Sequence, residues 1–249
     1  MTGYQVEGAR VGTAGWSLPR VSTARFASIG SHLQRYATML SCVEVNSSFY
    51  QPHQTSTYAR WRDSTPPEFR FSVKMPRTIT HELRLADSRD LLIAFLEQTD
   101  GLREKRGPIL VQLPPSFAFD AGVLASFLNV MRSLYQGAVV WEPRHPTWFS
   151  APAEDLLQRY RISRVAADPP PVPEAARPAG DPKTIYFRLH GSPRMYWSRY
   201  DQRFTAALAA ALRDATNTGD VWCVFDNTAS GAAIENACEL VEHLSVKVP

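Results

Sequence analysis

The chain is short of several features that usually announce a function. No apolar run approaches the 18 or so residues that a membrane-crossing helix needs, so the sequence predicts no membrane association. Its first residues, MTGYQVEGAR, lack the basic-then-apolar layout of a signal peptide, which points to a cytoplasmic protein. There are only three cysteines, Cys42, Cys223 and Cys238, set among apolar neighbours with no CxxC spacing; they read as reduced core residues. Charge of either sign is nearly balanced, with 27 Lys plus Arg against 24 Asp plus Glu, so a basic nucleic-acid-binding coat is not apparent. No GxGxxG follows a strand-like segment, no HExxH occurs, and no internal repeat or coiled-coil heptad is present.

What the 249 residues do contain is a regular alternation. Eight short segments rich in β-branched and aromatic residues recur, at VGTAGW, CVEVN, RFSVK, ILVQL, AVVWEPR, ISRVAAD, TIYFRLH and DVWCVFDN. Between most of them the apolar residues follow helical spacing, as in Val123, Leu124, Phe127, Leu128 and Met131. The pattern predicts an α/β protein, a (β/α)8 barrel of TIM type forming a single domain over 1–249. One unit departs from it. DPPPVPEAARPAGDP, between strands six and seven, is too rich in proline for a full helix, because proline removes a backbone donor and clashes with the preceding turn. A shortened or extended crossover is expected there.

Side chains alternate across a strand, so in a closed barrel one parity faces the helices and the other the interior. With the apolar parity assigned to the helices, Glu44 and Asn46, Ser72 and Lys74, Gln112, Glu142 and Arg144, and Arg188 and His190 point inward, and Asp168 ends strand six. All lie at the C-terminal ends of their strands, where barrel enzymes place catalytic groups. Strand eight is ambiguous: either Asp226 or Asn227 could join the set. Three acids and three bases could also neutralise one another as a buried ion-pair network, but desolvating ions is a costly way to stabilise a core, and the pattern favours a functional site.

The loops add further candidates. Gly191, at the end of strand seven, and Ser230 and Gly231, at the entrance of the last helix, suit an anion held by backbone N–H groups, so they read as phosphate-binding residues. The aromatics Trp16, Tyr50, Trp148 and Tyr200 and the loop histidine His81 are placed to contact a substrate carrying a sugar or base.

These motifs, in this order and spacing, resemble the DUF72 family, also called the YecE-like family: VGTAGWS, VEVNSSFYQ, TPPEFRFSVKMPRTITH, VQLPPSF, WEPRHPTW, YFRLHG and FDNTASGAAIENA. The resemblance covers nearly the whole chain and implies a TIM-type barrel of uncharacterised function. Its motif positions carry over as Glu44, Asn46, Lys74, His81, Gln112, Glu142, Arg144, Arg188, His190 and Asn227; Asp226 stands where the family often has asparagine.

The residues point to an enzyme acting on an anionic, phosphate-bearing sugar, nucleotide or nucleic acid by general acid/base catalysis, as a hydrolase or lyase would. Glu142 or Glu44 serves as base, His190 as acid and Lys74 as a catalytic cation; Asn46, Gln112, Arg144, Arg188 and Asn227 bind the substrate. No cofactor is specified. A divalent metal, if one binds, would be held by Glu142, Asp168, His190 and Asp226. The alternative from another class is a non-catalytic barrel that binds a nucleotide or nucleic acid.

Overall fold

The computed structural model describes residues 8–245; the ends of the 1–249 domain reading lie outside the described residues. Ten strands form one sheet. In chain order they are β1 (Ala9–Ala14), β2 (Cys42–Val45), β3 (Arg70–Lys74), β4 (Arg106–Gln112), β5 (Val139–Glu142), β6 (Ser163–Arg164), β7 (Ala166–Asp168), β8 (Ala179–Gly180), β9 (Thr184–Leu189) and β10 (Asp220–Phe225). Among the described residues seven α-helices connect them: α1 (His32–Tyr36), α2 (Thr55–Asp63), α3 (Arg89–Thr99), α4 (Ala121–Leu134), α5 (Ala151–Arg159), α6 (Gln202–Thr216) and α7 (Ala232–Ser245).

The architecture is a TIM-type barrel, and its closure depends on the sixth strand. β6 pairs in parallel with β5, while β7 pairs in parallel with β9, and only Val165 separates the two. One strand thus changes partner midway and joins the two edges. All remaining neighbours among the barrel strands are parallel. The Pro-rich crossover forms no α-helix. It carries a 3-10 turn at Pro173–Ala176 and the short β8, which pairs antiparallel with β6.

Two apolar layers follow from strand alternation. The outer one fills the space between sheet and helices and includes Val43, Val45, Phe71, Val73, Ile109, Val111 and Trp141, the residues assigned to the helix side by parity. The inner one plugs the barrel with Ala14, Cys42, Leu110, Val140, Val165, Tyr186, Trp222 and Val224. Tyr186 and Trp222 stack there, with ring centroids 6.1 Å apart. Gly12 is required in this layer, since a Cβ at that position would lie 2.1 Å from the Cys42 carbonyl oxygen. The three cysteines are free and buried. Among the described residues no helix is long and apolar enough to cross a membrane.

Candidate functional site

Above the apolar plug, the same interior parity turns polar. Glu44 from β2, Lys74 from β3, Glu142 from β5, Arg188 from β9, His190 just past β9 and Asp226 just past β10 converge, although Glu44 and Arg188 are 144 residues apart in sequence. The ambiguity on strand eight is resolved by packing. Trp222 and Val224 belong to the interior plug, so Asp226 shares their side and Asn227 does not.

Arg188 is the hub. Its Nη2 lies 2.7 Å from Glu44 Oε1 and its Nε 3.0 Å from Glu44 Oε2, a two-pronged pair; Nη1 reaches Glu142 Oε2 at 3.0 Å and Nη2 reaches Asp226 Oδ2 at 3.0 Å. Arg188 and Glu44 are wholly buried and Glu142 nearly so. One guanidinium thus faces three carboxylates in a low-dielectric interior, where unpaired charges would cost several kcal/mol each, of order 3–5. Burial alone would lower the Arg188 pKa, but Asp226, Glu44 and Glu142 raise it well above its ordinary value. Burial would likewise raise the Glu142 carboxyl; Arg144, Arg188 and His190 instead hold it well below its usual range. Asp226 is also lowered, by Arg188 and His190 against burial. Tyr186, which parity places under Arg188, donates to Glu44 Oε2 at 2.9 Å and completes that carboxylate's shell.

His190 sits in the middle of this array with a partner for either protonation state. Its Nδ1 is 3.0 Å from Asp226 Oδ2, and a carboxylate can only accept, so Nδ1 carries the proton. Its Nε2 lies 2.7 Å from Arg144 Nη2 and 2.8 Å from Glu142 Oε1. A neutral ring accepts from Arg144 there; a protonated ring donates to Glu142. Nε2 thus has a donor and an acceptor within hydrogen-bond distance.

Lys74 is the exception within the cluster. It is 94% buried, and among the described residues no carboxylate comes within salt-bridge reach of it; its Nζ lies 4.1 Å over the Phe49 ring. Burial, then Arg188, lower its pKa to about 8, against the opposing pull of Glu44, Asp226 and Glu142. Arg144 has similar spare capacity. Its side chain is one-tenth exposed, its Nη2 bonds Glu142 at 2.7 Å, and its buried Nε has no partner in the protein. Asn46, half-buried, leaves its Oδ1 unpartnered as well.

The remaining candidates divide. Gln112 ends β4 directly beside Glu142 in register and is half-buried. His81 packs edge-on to Phe49 at 4.9 Å; burial, then Lys74, lower its pKa. Tyr50 is 69% exposed, and Trp16 is half-buried against Trp61. Other expected contacts need correction. Trp148 is buried in the outer layer against Trp141 and Phe117 and donates to the Phe117 carbonyl, so its ring is not presented to a ligand. Tyr200 is buried too; its hydroxyl donates to Asp168 Oδ1 at 2.7 Å and accepts from Gly191 N–H at 2.9 Å. Asn227 is fully buried and gives its amide protons to Ser198 O and Asn236 Oδ1.

The expected phosphate cradle is likewise occupied from within. Gly191 N–H goes to Tyr200, Ser230 Oγ donates to the Trp197 carbonyl, and Gly231 N–H goes to the Thr228 carbonyl. Of the four residues read as metal ligands, Asp168 stands apart on Tyr200, while Glu142, His190 and Asp226 meet but are bonded to one another, and the two carboxylates are also paired to Arg188. Among the described residues no three His, Cys, Asp or Glu side chains could hold a metal ion. Sequence reasoning missed Tyr186, although its parity with Arg188 and His190 was there to find it, because an aromatic ring reads as hydrocarbon. Tyr196, one of the aromatics that follow the seventh strand-like segment in the sequence, meets the His190 ring edge-on at 5.7 Å.

Comparison with known proteins places this cluster in a family. The profile described as "Protein of unknown function DUF72" matches residues 10–249. The chain belongs to the DUF72 family. It is 33% identical over 168 residues to the UPF0759 protein YecE of Escherichia coli (strain K12), a match covering 65% of this chain and 61% of that protein. It is 24% identical over 246 residues to the UPF0759 protein YunF of Bacillus subtilis (strain 168), covering 86% and 87% of the two chains. Solved structures share the fold. A DUF72 family protein from Enterococcus faecalis superposes with a TM-score of 0.80 at 22% identity, covering 97% of each chain. One from Thermotoga maritima gives 0.79 at 24% identity, covering 96% of this chain and 99% of its own. None of these descriptions states a substrate or a reaction.

Proposed function

We propose that the barrel mouth is a catalytic site for a small anionic molecule, a phosphate-bearing sugar or nucleotide, whose anion is held by Lys74 and Arg144 and whose proton traffic runs through His190. The observation that carries this is Lys74, an ammonium buried at the mouth without a counter-carboxylate while every acid of the cluster is already paired. An unpaired buried cation is destabilising, and an arriving anion offsets that cost. Arg144, with its unpartnered Nε, supplies a second donor beside it. Phosphate binding is thereby reassigned from the backbone of Gly191 and Gly231 to side chains. His190, oriented by Asp226 and switching between Arg144 and Glu142, would deliver the proton in hydrolysis or elimination.

The reading is tested by titrating inorganic phosphate, a hexose phosphate and a nucleoside monophosphate into the protein at pH 7 by calorimetry. At least one should bind, and Lys74→Met should weaken it tenfold or more. If no phosphate-bearing compound binds, or if Lys74→Met binds as well as the wild type, the proposal is wrong.

A further inference from the structure

A second cleft lies outside the barrel interior, between the turn at Arg20–Arg25, the start of α6 and α7. It has a volume of about 340 Å³ and is lined by Ser22, Arg25, Arg199, Gln202 and three glutamates, Glu235, Glu239 and Glu242. The glutamates sit at i, i+4 and i+7, so one face of α7 presents all three. Arg25 pairs with Glu242 at 2.6 Å, and Arg199 with Glu235 at 3.1 Å and, more loosely, with Glu239 at 3.4 Å. Three carboxylates against two guanidiniums leave one negative charge in surplus.

The surplus is localised. Glu239 is 93% buried, and its Oε1 has no hydrogen-bond partner in the protein; nor does Ser22 Oγ, which is 97% buried and comes from a different element of the same cleft. Buried polar atoms are ordinarily satisfied, and leaving one bare costs about 1–3 kcal/mol. Two unpartnered oxygens on residues from two elements lining one small cleft, one of them anionic, match a group with several N–H donors and a positive charge.

We propose that this cleft binds a small alkylammonium compound, a diamine or polyamine by class, with one ammonium group donating to Glu239 Oε1 and Ser22 Oγ. The volume is at the small end of ligand cavities, where a short aliphatic amine fits and a large ligand does not. Gln202, at the cleft's edge, is placed to orient the chain of the amine.

The test is calorimetric titration of the full chain with putrescine and spermidine at low salt, with 1,4-butanediol as the uncharged control. Binding of at least one amine is expected, with Glu239→Gln weakening it about tenfold and Ser22→Ala several-fold, while the diol gives no heat. Glu97→Gln, an exposed acid elsewhere, should leave amine binding unchanged. Amine binding that Glu97→Gln weakens as much as Glu239→Gln would reduce the effect to general surface attraction. No amine binding, or equal binding of the diol, overturns the proposal, showing that the cleft holds ordered water only. Should Glu239→Gln not fold, unchanged binding in Ser22→Ala alone would overturn it.

Discussion

Replacing Arg188 with methionine probes the whole cluster at once. The substitution keeps an unbranched apolar stem, shorter than arginine, and removes the guanidinium shared by Glu44, Glu142 and Asp226. Glu142 keeps Arg144 and Asp226 keeps His190, whereas Glu44 is left with only the Tyr186 hydroxyl. Breaking a buried pair by removing one partner costs about 3–5 kcal/mol, and the stranded Glu44 puts Arg188→Met at the upper part of that range near pH 7.5. The pH dependence gives a second signature. In the wild type, Glu142 and Asp226 have folded pKa values below their unfolded ones, so their stabilisation is complete above the unfolded values, about 4, and is lost only as pH falls through the folded ones. Arg188 supplies part of that lowering, so the variant's deficit should be full at pH 7.5 and 6 and shrink as pH falls below about 4. Urea unfolding at pH 3.5, 6 and 7.5 measures both effects, and Arg188→Met combined with Glu44→Gln should recover a large part of the loss. A deficit below about 1 kcal/mol at pH 7.5, or one that does not respond to Glu44→Gln, would refute the reasoning.

Other predictions follow from single contacts. Lys74→Met should stabilise the protein by about 1–3 kcal/mol at pH 7, because it removes an ammonium whose folded pKa is about 8 against an ordinary 10.5. For the same reason wild-type stability should gain on the variant's between pH 8 and 10, where the unfolded lysine binds more proton than the folded one; thermal unfolding across that window checks the sign. Gly12→Ala forces a Cβ against the Cys42 backbone at 2.1 Å, inside the closed barrel, and should cost at least about 3 kcal/mol by chemical denaturation. Tyr200→Phe should lose about 1–3 kcal/mol by unbinding Asp168 and the Gly191 N–H, yet leave the affinity for phosphate compounds within twofold.

Much of this arrangement was legible in the sequence because strand alternation is a strict geometric rule. Once Val43, Val45, Phe71 and Val73 were assigned to the helices, Glu44 and Lys74 had only the interior left to face, and closure brought them to Arg188 and Glu142. The rule fails where both faces of a strand are apolar. Trp222 and Val224 fill the barrel floor while Val221, Cys223 and Phe225 face the helices, so β10 gave no contrast, and Asp226 could not be separated from Asn227 before the interior packing was seen. It also stops at the strand's end. Trp148, Tyr200, Ser230 and Gly231 lie in loops whose direction depends on local hydrogen bonds such as Trp148 Nε1 to the Phe117 carbonyl, which no periodicity encodes. The split of the sixth strand around Val165 was invisible for a similar reason, since a change of pairing partner leaves no mark on residue type.

The most direct measurement is the titration of the Lys74 ammonium itself by NMR, using selectively labelled lysine with Lys74→Met to assign the signal, first alone and then with saturating inorganic phosphate. A midpoint near 8 that moves upward when phosphate is added is the predicted outcome, since an anion beside the amine favours its charged form. A midpoint near 10.5 that phosphate leaves in place would mean that this side chain is neither confined nor waiting for an anion, and the reading of the barrel mouth would be wrong.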